Sequence, residues 1–307
     1  MQLPELTSWA WIPVVIFAAA AQTARNASQR SLIATVGTLA ATLSRFLYGL
    51  PFALLWLLFV LKFSAPQSHE SAFTLRYFGW LSVGALSQLA ATGLMLLAMK
   101  ERNFLIGTTL TKTEVLQVAL FGAVFLHEVP GWISMLAILV ATVGVLMLSA
   151  PRAMVSMRGL WTDRTVWYGL GSGAGFALAA VGYRGASLEQ PGMSFWLIGA
   201  WGVLLAQALQ SSLVVGYLLL REPARLIEIA RAWKMSLVAG STGALASFGW
   251  FTAVAMHSAA EVRTLALVEL LFSYLVSHRL MGERLALREK LGLGLMMLGL
   301  VVICLRF

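Results

Sequence analysis

The chain has 307 residues, of which 59% are hydrophobic and only 11% are charged. An ordinary soluble domain carries roughly 25% charged residues, and a mean hydropathy of +0.82 leaves no room for a sizeable water-exposed domain. These values predict a polytopic membrane protein. The net charge of +9 does not indicate nucleic acid binding, because the basic residues cluster between apolar runs, where they contact lipid headgroups.

Apolar runs of about 20 residues, the length of a transmembrane helix, occur ten times along the chain. The run that comes first has no Lys or Arg before it, so we predict a membrane span there and not a cleaved signal peptide. The fold class is therefore predicted to be all-α, with ten transmembrane helices joined by short loops. The predicted spans are 9–27, 38–62, 75–99, 104–126, 131–150, 165–187, 193–220, 235–257, 262–281 and 288–306.

The sequence also repeats itself. The segment "FAAAAQTARNAS" at 17–28 aligns with "FALAAVGYRGAS" at 176–187. The segment "TEVLQVALFGAVFLHE" at 113–128 aligns with "VELLFSYLVSHRLMGE" at 268–283. The two matches occur in the same order, which chance similarity between alanine-rich helices does not explain.

We therefore predict two five-helix repeats, at 1–150 and 151–307. An odd number of spans in each repeat makes the second insert upside down relative to the first. This inverted-repeat architecture is the one that lets transporters alternate between outward-open and inward-open shapes.

Two short motifs carry a family resemblance. An acidic residue closes the fourth and ninth spans, in "FLHEVPG" and "LMGERLA". Together with ten spans and the duplication, these motifs resemble the drug/metabolite transporter superfamily, EamA type. The resemblance covers nearly the whole chain and implies a plasma-membrane carrier, often an exporter, for small organic solutes. The family usually has a proline near the start of the closing half of spans four and nine, where this chain has "KTEVLQ" and "LVELLF".

The orientation of the termini is open. The resemblance implies that both termini are cytoplasmic. However, most Lys and Arg residues outside the apolar runs fall in connections 1–2, 3–4, 5–6, 7–8 and 9–10. Because positive residues favour the cytoplasmic side, we prefer both termini on the non-cytoplasmic side.

Span four contains two charges, Lys112 and Glu114, which together cost about 5–7 kcal/mol to insert. Glu114 aligns with Glu269 of span nine, whereas Lys112 aligns with an apolar residue. A carboxylate in a low-dielectric cavity can take up and release a proton near neutral pH. We therefore predict that Glu114 and Glu269 couple transport to protons and that Lys112 tunes them. The alternative is that Glu114 forms a structural ion pair with Arg45 or Lys112.

Five residues are predicted to bind the solute. Arg45 lies too deep in span two to reach the interface, and a guanidinium binds a carboxylate with two hydrogen bonds; the alternative is a salt bridge to a glutamate. Gln207 and Gln210 share one face of span seven, where they contact either the solute or a neighbouring helix. Trp250 and Tyr274 are predicted to line the pocket, or else to belong to the interfacial aromatic belt.

The predicted function is secondary transport of a small metabolite, amino-acid-like or carboxylate-bearing, by alternating access. The expected partners are this solute and membrane lipids, with no nucleic acid and no metal or cofactor, and the protein is expected to be a monomer or homodimer. A channel or a lipid scramblase is the alternative. A membrane enzyme is less favoured, because Asp163 is the single aspartate and Ser172 has no histidine near it in sequence.

Overall fold

The computed structural model describes residues 9–64, 73–100, 110–149, 164–272, 274 and 286–305. This part of the chain consists of helices and short turns without a strand, which confirms the all-α prediction for these residues. Four helices in it are long and apolar enough to cross a membrane, judged by length and composition. They are Ala41–Phe63, Leu75–Met95, Phe195–Arg221 and Trp233–Met256. The number of ten spans stays a prediction.

Every predicted span contains at least one helix, and the second span contains two that are separated by a break at residues 48–49. The helices are α1 (Trp11–Val36), α2 (Thr38–Leu47), α3 (Leu50–Phe63), α4 (Leu75–Lys100), α5 (Glu114–Phe125), α6 (Trp132–Ser149), α7 (Arg164–Leu188), α8 (Phe195–Arg221), α9 (Pro223–Arg231), α10 (Trp233–Met256), α11 (Ala259–Leu265) and α12 (Leu287–Leu305).

The segment after span seven was predicted to be a loop, and this prediction is wrong because it contains α9. The helix buries Ile229 against Leu218 of α8 and against α2. On its exposed side Arg225 donates hydrogen bonds to Glu222 and Glu228, and these bonds raise the pKa of Arg225. Hydropathy alone misses such a helix, since a short charged segment with a single apolar side is typical of a loop by composition.

Span four is interrupted just before α5. Residues 112–113 form a turn in which the Thr113 N–H donates to the Leu110 carbonyl at 3.0 Å. The Leu116 N–H then donates to the Thr113 carbonyl at 3.1 Å. Bonds between residues three apart tighten a helix, and such a stretch within a helix often marks a hinge. The break therefore forms without the proline that the family resemblance would place there.

Span nine is interrupted in the same way after α11. The Leu267 N–H donates to the Thr264 carbonyl at 3.1 Å, and the Leu270 N–H donates to the Leu267 carbonyl at 2.9 Å. Each of these bonds lies 154 residues after its counterpart in span four. The sequence alignment of the two spans has a shift of 155, so they share one backbone irregularity to within one residue.

The chain packs into two compact units. One consists of Met1–Trp9, Leu86–Val181 and His257–Phe307, and we call it the Glu114 unit. The other consists of Ala10–Ala85 and Gly182–Met256, and we call it the Arg45 unit. Each unit takes segments from both predicted sequence repeats. The repeat boundary near residue 150 is a matter of sequence alignment and stays a prediction.

Within the Glu114 unit, α6 and α12 cross at small residues. A Cβ placed on Gly144 would lie 2.4 Å from the Met296 backbone nitrogen and 2.6 Å from the Gly292 carbonyl oxygen. A Cβ placed on Gly299 would lie 2.6 Å from the Ala137 carbonyl oxygen. With a shift of 155 positions, Ala137 corresponds to Gly292 and Gly144 corresponds to Gly299. The contact of Gly144 with the Gly292 carbonyl therefore corresponds to the contact of Gly299 with the Ala137 carbonyl. This reciprocity is typical of a contact across a twofold axis.

The Gly144 contact gives a stability prediction. We expect Gly144→Ala to destabilise the protein by about 1–3 kcal/mol, because the added methyl group meets backbone atoms that cannot rotate away. Gly294→Ala is the matched control on α12, since nothing lies within 4 Å of that position. Alanine there should be neutral or stabilise by up to about 1 kcal/mol through its better helix propensity. The melting temperatures of the purified variants measure both effects. Equal melting temperatures for Gly144→Ala and Gly294→Ala would contradict a tight crossing of α6 and α12.

Candidate functional site

Arg45 is a buried guanidinium, and none of the described residues supplies a counter-charge to it. It lies in the last turn of α2, its exposed fraction is 8%, and its guanidinium carbon lies 4.3 Å from the centre of the Phe46 ring. In the part of the chain that the structure describes, no carboxylate contacts Arg45 and no acceptor hydrogen-bonds to it. The predicted alternative, a salt bridge to a glutamate, is therefore not formed within that part. Leaving a charge buried and unpaired is costly.

A second arginine lies beside the first. A Cβ placed on Gly243 of α10 would lie 3.1 Å from Arg45 Cγ and 3.4 Å from Arg25 Cδ, so both side chains pass over this glycine. Arg25 and Tyr183 lie within electrostatic range of Arg45. Arg25 also donates to the Asn26 Oδ1 at 2.8 Å. The Arg45 unit therefore concentrates positive charge at one place, which favours an anion there.

The two glutamines of span seven have different environments. Gln210 is buried and donates to the Ala85 carbonyl at 3.2 Å and to the Tyr183 hydroxyl at 3.4 Å, so its amide links helices. The Gln207 Oε1 is buried and, among the described residues, has no hydrogen-bond partner. It lies against the break between α2 and α3, where a Cβ on Gly49 would be 2.8 Å from it. Of the two glutamines, Gln207 is therefore the one whose amide oxygen has no hydrogen-bond partner among the described residues, and it lies near the backbone of Arg45.

The two aromatic residues of the predicted site lie in different units. Trp250, in the Arg45 unit, donates from its indole Nε1 to the Gln22 Oε1 at 2.8 Å and so connects α10 to α1. Tyr274 belongs to the Glu114 unit and is half-buried. Their solute-binding roles stay predictions.

Glu114 forms an ion pair with a residue that the sequence analysis missed. It is the first residue of α5 and is 7% exposed. Arg263 of α11 donates from Nε to the Glu114 Oε1 at 2.6 Å, and its Nη2 contacts the same oxygen. The predicted alternative partners, Arg45 and Lys112, are thus wrong. Lys112 lies half-buried in the turn before α5.

This ion pair joins the two interrupted helices at their breaks. Glu114 directly follows the turn at 112–113, and Arg263 lies one turn before the break at 266–267. Glu269, which aligns with Glu114, follows the second break and is half-buried. The position of Arg263 just inside the predicted limit of span nine was the one signal that could have identified it as an intramembrane charge.

A second buried carboxylate, Glu261, has a structural explanation. It accepts hydrogen bonds from the Ser134 hydroxyl at 2.6 Å and the Ser258 hydroxyl at 3.1 Å, and it pairs with the His257 Nδ1 at 2.9 Å. Ser258 in turn accepts from the Glu261 N–H at 3.4 Å. Ser258 is thus the N-cap of α11, and the pattern Ser-x-x-Glu before an apolar run could have revealed it. Glu261 therefore fixes the start of α11 against α6.

The residues considered for other chemistry are engaged in packing. The Ser172 hydroxyl donates to the Ala91 carbonyl at 3.0 Å, which connects α7 to α4. Within the described ranges, no group of three or more His, Cys, Asp or Glu side chains could hold a metal ion. What these clusters offer is a buried guanidinium at Arg45 and an ion pair at two helix breaks.

Comparison with known proteins gives three results. Residues 9–150 match the model of the family described as "EamA-like transporter family". No curated protein matches the sequence. A solved structure described as "Crystal structure of protein" has a TM-score of 0.68 to this chain, covers 97% of it and 97% of its own length, and is 15% identical. At that identity the likeness is one of fold.

Proposed function

Residues 9–150 belong to the EamA-like transporter family, and from this premise we propose that the protein is a secondary transporter for carboxylate-bearing metabolites. The observation that carries the proposal is Arg45, which is buried and has no counter-charge among the described residues. A solute carboxylate supplies the missing negative charge and accepts two parallel hydrogen bonds from the guanidinium. Gln207, with its unused amide oxygen, is placed to accept a bond from a solute amine. Amino acids combine both groups.

Alternating access is the proposed mechanism, and it is supported by the matched irregularities of the two halves. Spans four and nine have matching breaks 154 residues apart, within one residue of the 155-residue shift that relates the reciprocal contacts of α6 and α12. Both observations favour inverted repeats at 1–150 and 151–307. In transporters of that architecture, interrupted helices surround the binding site, and the two halves exchange conformations.

Proton coupling is proposed through Glu114. Uptake of a proton removes the charge of this carboxylate and so releases Arg263. Since the pair joins the helices at their breaks, its loss lets the two interrupted helices change their angle. Lys112 lies in the adjacent turn, and its proposed role is to tune the carboxylate. Within this proposal the protein is an exporter of the plasma membrane, and its loop charges favour non-cytoplasmic termini.

Counterflow into liposomes tests the proposed function. Purified protein is reconstituted with the standard amino acids, lactate, pyruvate or succinate inside, and entry of the same labelled solute is measured. A carrier gives saturable counterflow for at least one of these carboxylates. Flux without saturation would indicate the channel alternative, and the absence of counterflow for every one of these carboxylates would contradict the proposed solute class.

Arg45→Lys provides the residue-level prediction. We expect the variant to fold and to raise the solute concentration for half-maximal counterflow by about tenfold, the equivalent of one lost charge-assisted bond. Lysine keeps the charge but lacks the planar fork of donors. Arg221→Lys, at an exposed position in the last turn of α8, is the matched control and should transport normally. An unchanged half-maximal concentration for Arg45→Lys would make Arg45 structural.

A further inference from the structure

A cavity of about 380 Å³ lies within the Arg45 unit, between α3, α8 and α10. Its walls include Phe52, Trp56 and Phe59 of α3, Ala200 of α8, and Ala244 and Phe248 of α10. Protein interiors contain few voids larger than a water molecule, and this volume lies in the range of ligand pockets. A space of this size between packed helices is therefore large enough to hold a ligand.

The chemistry of the walls excludes the carboxylate proposed for Arg45. The lining side chains are apolar apart from Ser241 and the indole of Trp56. The Ser241 hydroxyl is already used within its own helix, where it donates to the Val238 carbonyl at 3.1 Å. With no charged side chain on its walls, the cavity suits hydrocarbon.

The cavity is reached from the membrane core. Two of its lining residues, Leu55 and Phe59, are 61% and 52% exposed. They belong to an exposed face of α3 that also contains Leu54 and Leu58, and all four of these side chains are apolar. A water-filled passage would be lined by polar groups, whereas a face of this composition within an apolar span contacts lipid chains. The occupant consequently enters from the bilayer.

We propose that this cavity binds one acyl chain of a membrane phospholipid. The position of a cation supports a phospholipid over a free apolar solute. Lys62 is exposed in the last turn of α3, one helical turn beyond Phe59, where its ammonium can contact the phosphate of a lipid whose chain enters the cavity. The site is independent of the proposed solute site and extends the role of the Arg45 unit to lipid binding.

Photocrosslinking tests the proposal on the full chain in nanodiscs that contain a phospholipid with a diazirine in its acyl chain. We expect labelling of the cavity segments 52–59 and 241–248 to exceed labelling of the exposed apolar residues of α12, which lie outside the cavity. Ala244→Phe fills the cavity and should reduce the labelling of segment 52–59 to the level of α12. Val238→Phe, at an exposed position of the same helix, is the matched control and should leave it unchanged.

Two further variants and the outcomes that would contradict the proposal complete the experiment. If Ala244→Phe fails to fold, as judged by size-exclusion chromatography, the smaller change Ala200→Leu replaces it with the same expected loss of labelling. Lys62→Gln should lower the labelling by anionic phospholipid more than by phosphatidylcholine. Labelling of segment 52–59 no greater than that of α12, labelling insensitive to the cavity-filling variant, or displacement of the label by the amino acids and carboxylic acids of the counterflow panel would each overturn the proposal.

Discussion

Arg263→Met is expected to destabilise the purified protein by about 3 kcal/mol, because it leaves the Glu114 carboxylate buried and without its cation. The estimate takes the lower end of the usual range, since the Arg263 side chain is 21% exposed and water can partly solvate what remains. Methionine replaces the apolar stem of the arginine as far as its Nε and removes the guanidinium beyond it. The loss is therefore due to the charge and its hydrogen bonds and not to a cavity.

A double-mutant cycle separates the pair from its surroundings. Glu114→Gln with Arg263→Met should be more stable than Arg263→Met alone, because removing both charges also removes the cost of burying one of them. The matched control is Arg225→Met on α9, which breaks two ion pairs at an exposed site and should leave the melting temperature unchanged. Equal effects of Arg263→Met and Arg225→Met on the melting temperature would mean that the buried ion pair stabilises the protein no more than the exposed ones do.

The sequence predicted the positions of the helices well because the membrane imposes a length of apolar residues that hydropathy measures directly. It missed α9, because this helix is stabilised by packing against Leu218 and its composition is that of a loop. It also missed the breaks of spans four and nine. Neither break contains proline or glycine, so the usual signals of interruption are absent there.

For the candidate site, the sequence predicted which charged residue is buried within a span, but it did not predict which residue forms an ion pair with Glu114. Arg45 was predicted to be buried because it lies well inside span two, and the structure confirms its burial. The partner of Glu114 was predicted wrongly. Arg263 is far from it in sequence, and the contact exists only because α5 and α11 pack together. Hydropathy along one chain does not record which helices are neighbours.

The repeat was partly hidden for a related reason. The aligned segments "AILVATVG" at 137–144 and "GLGLMMLG" at 292–299 share a single identical residue. Their reciprocal contact requires only that a residue without a side chain lie opposite a backbone, as Gly144 and Gly299 do. The backbone contacts of α6 and α12 therefore resemble each other more closely than the two amino-acid sequences do.

The largest functional effect is expected from Glu114→Gln. This change keeps the shape of the side chain but removes the group that takes up a proton, so gradient-driven accumulation of the solute should fall to the level measured without a pH gradient. Counterflow at equal pH should survive, because exchange of solute for solute does not require a net proton movement. The measurement is uptake into proteoliposomes with and without a pH gradient, beside the melting temperature of each variant.

Glu269→Gln is the matched control for this prediction. Glu269 aligns with Glu114, but the residue aligned with Arg263 is Thr108, which cannot form an ion pair. Glu114 forms the ion pair with Arg263 whose release is proposed to move the helices, so Glu269→Gln should reduce gradient-driven uptake less than Glu114→Gln does. Equal losses would mean that both carboxylates carry the proton. Full gradient-driven uptake by a well-folded variant with both substitutions would end the proton-coupling proposal, while leaving Arg45 and the carrier mechanism to be judged by counterflow.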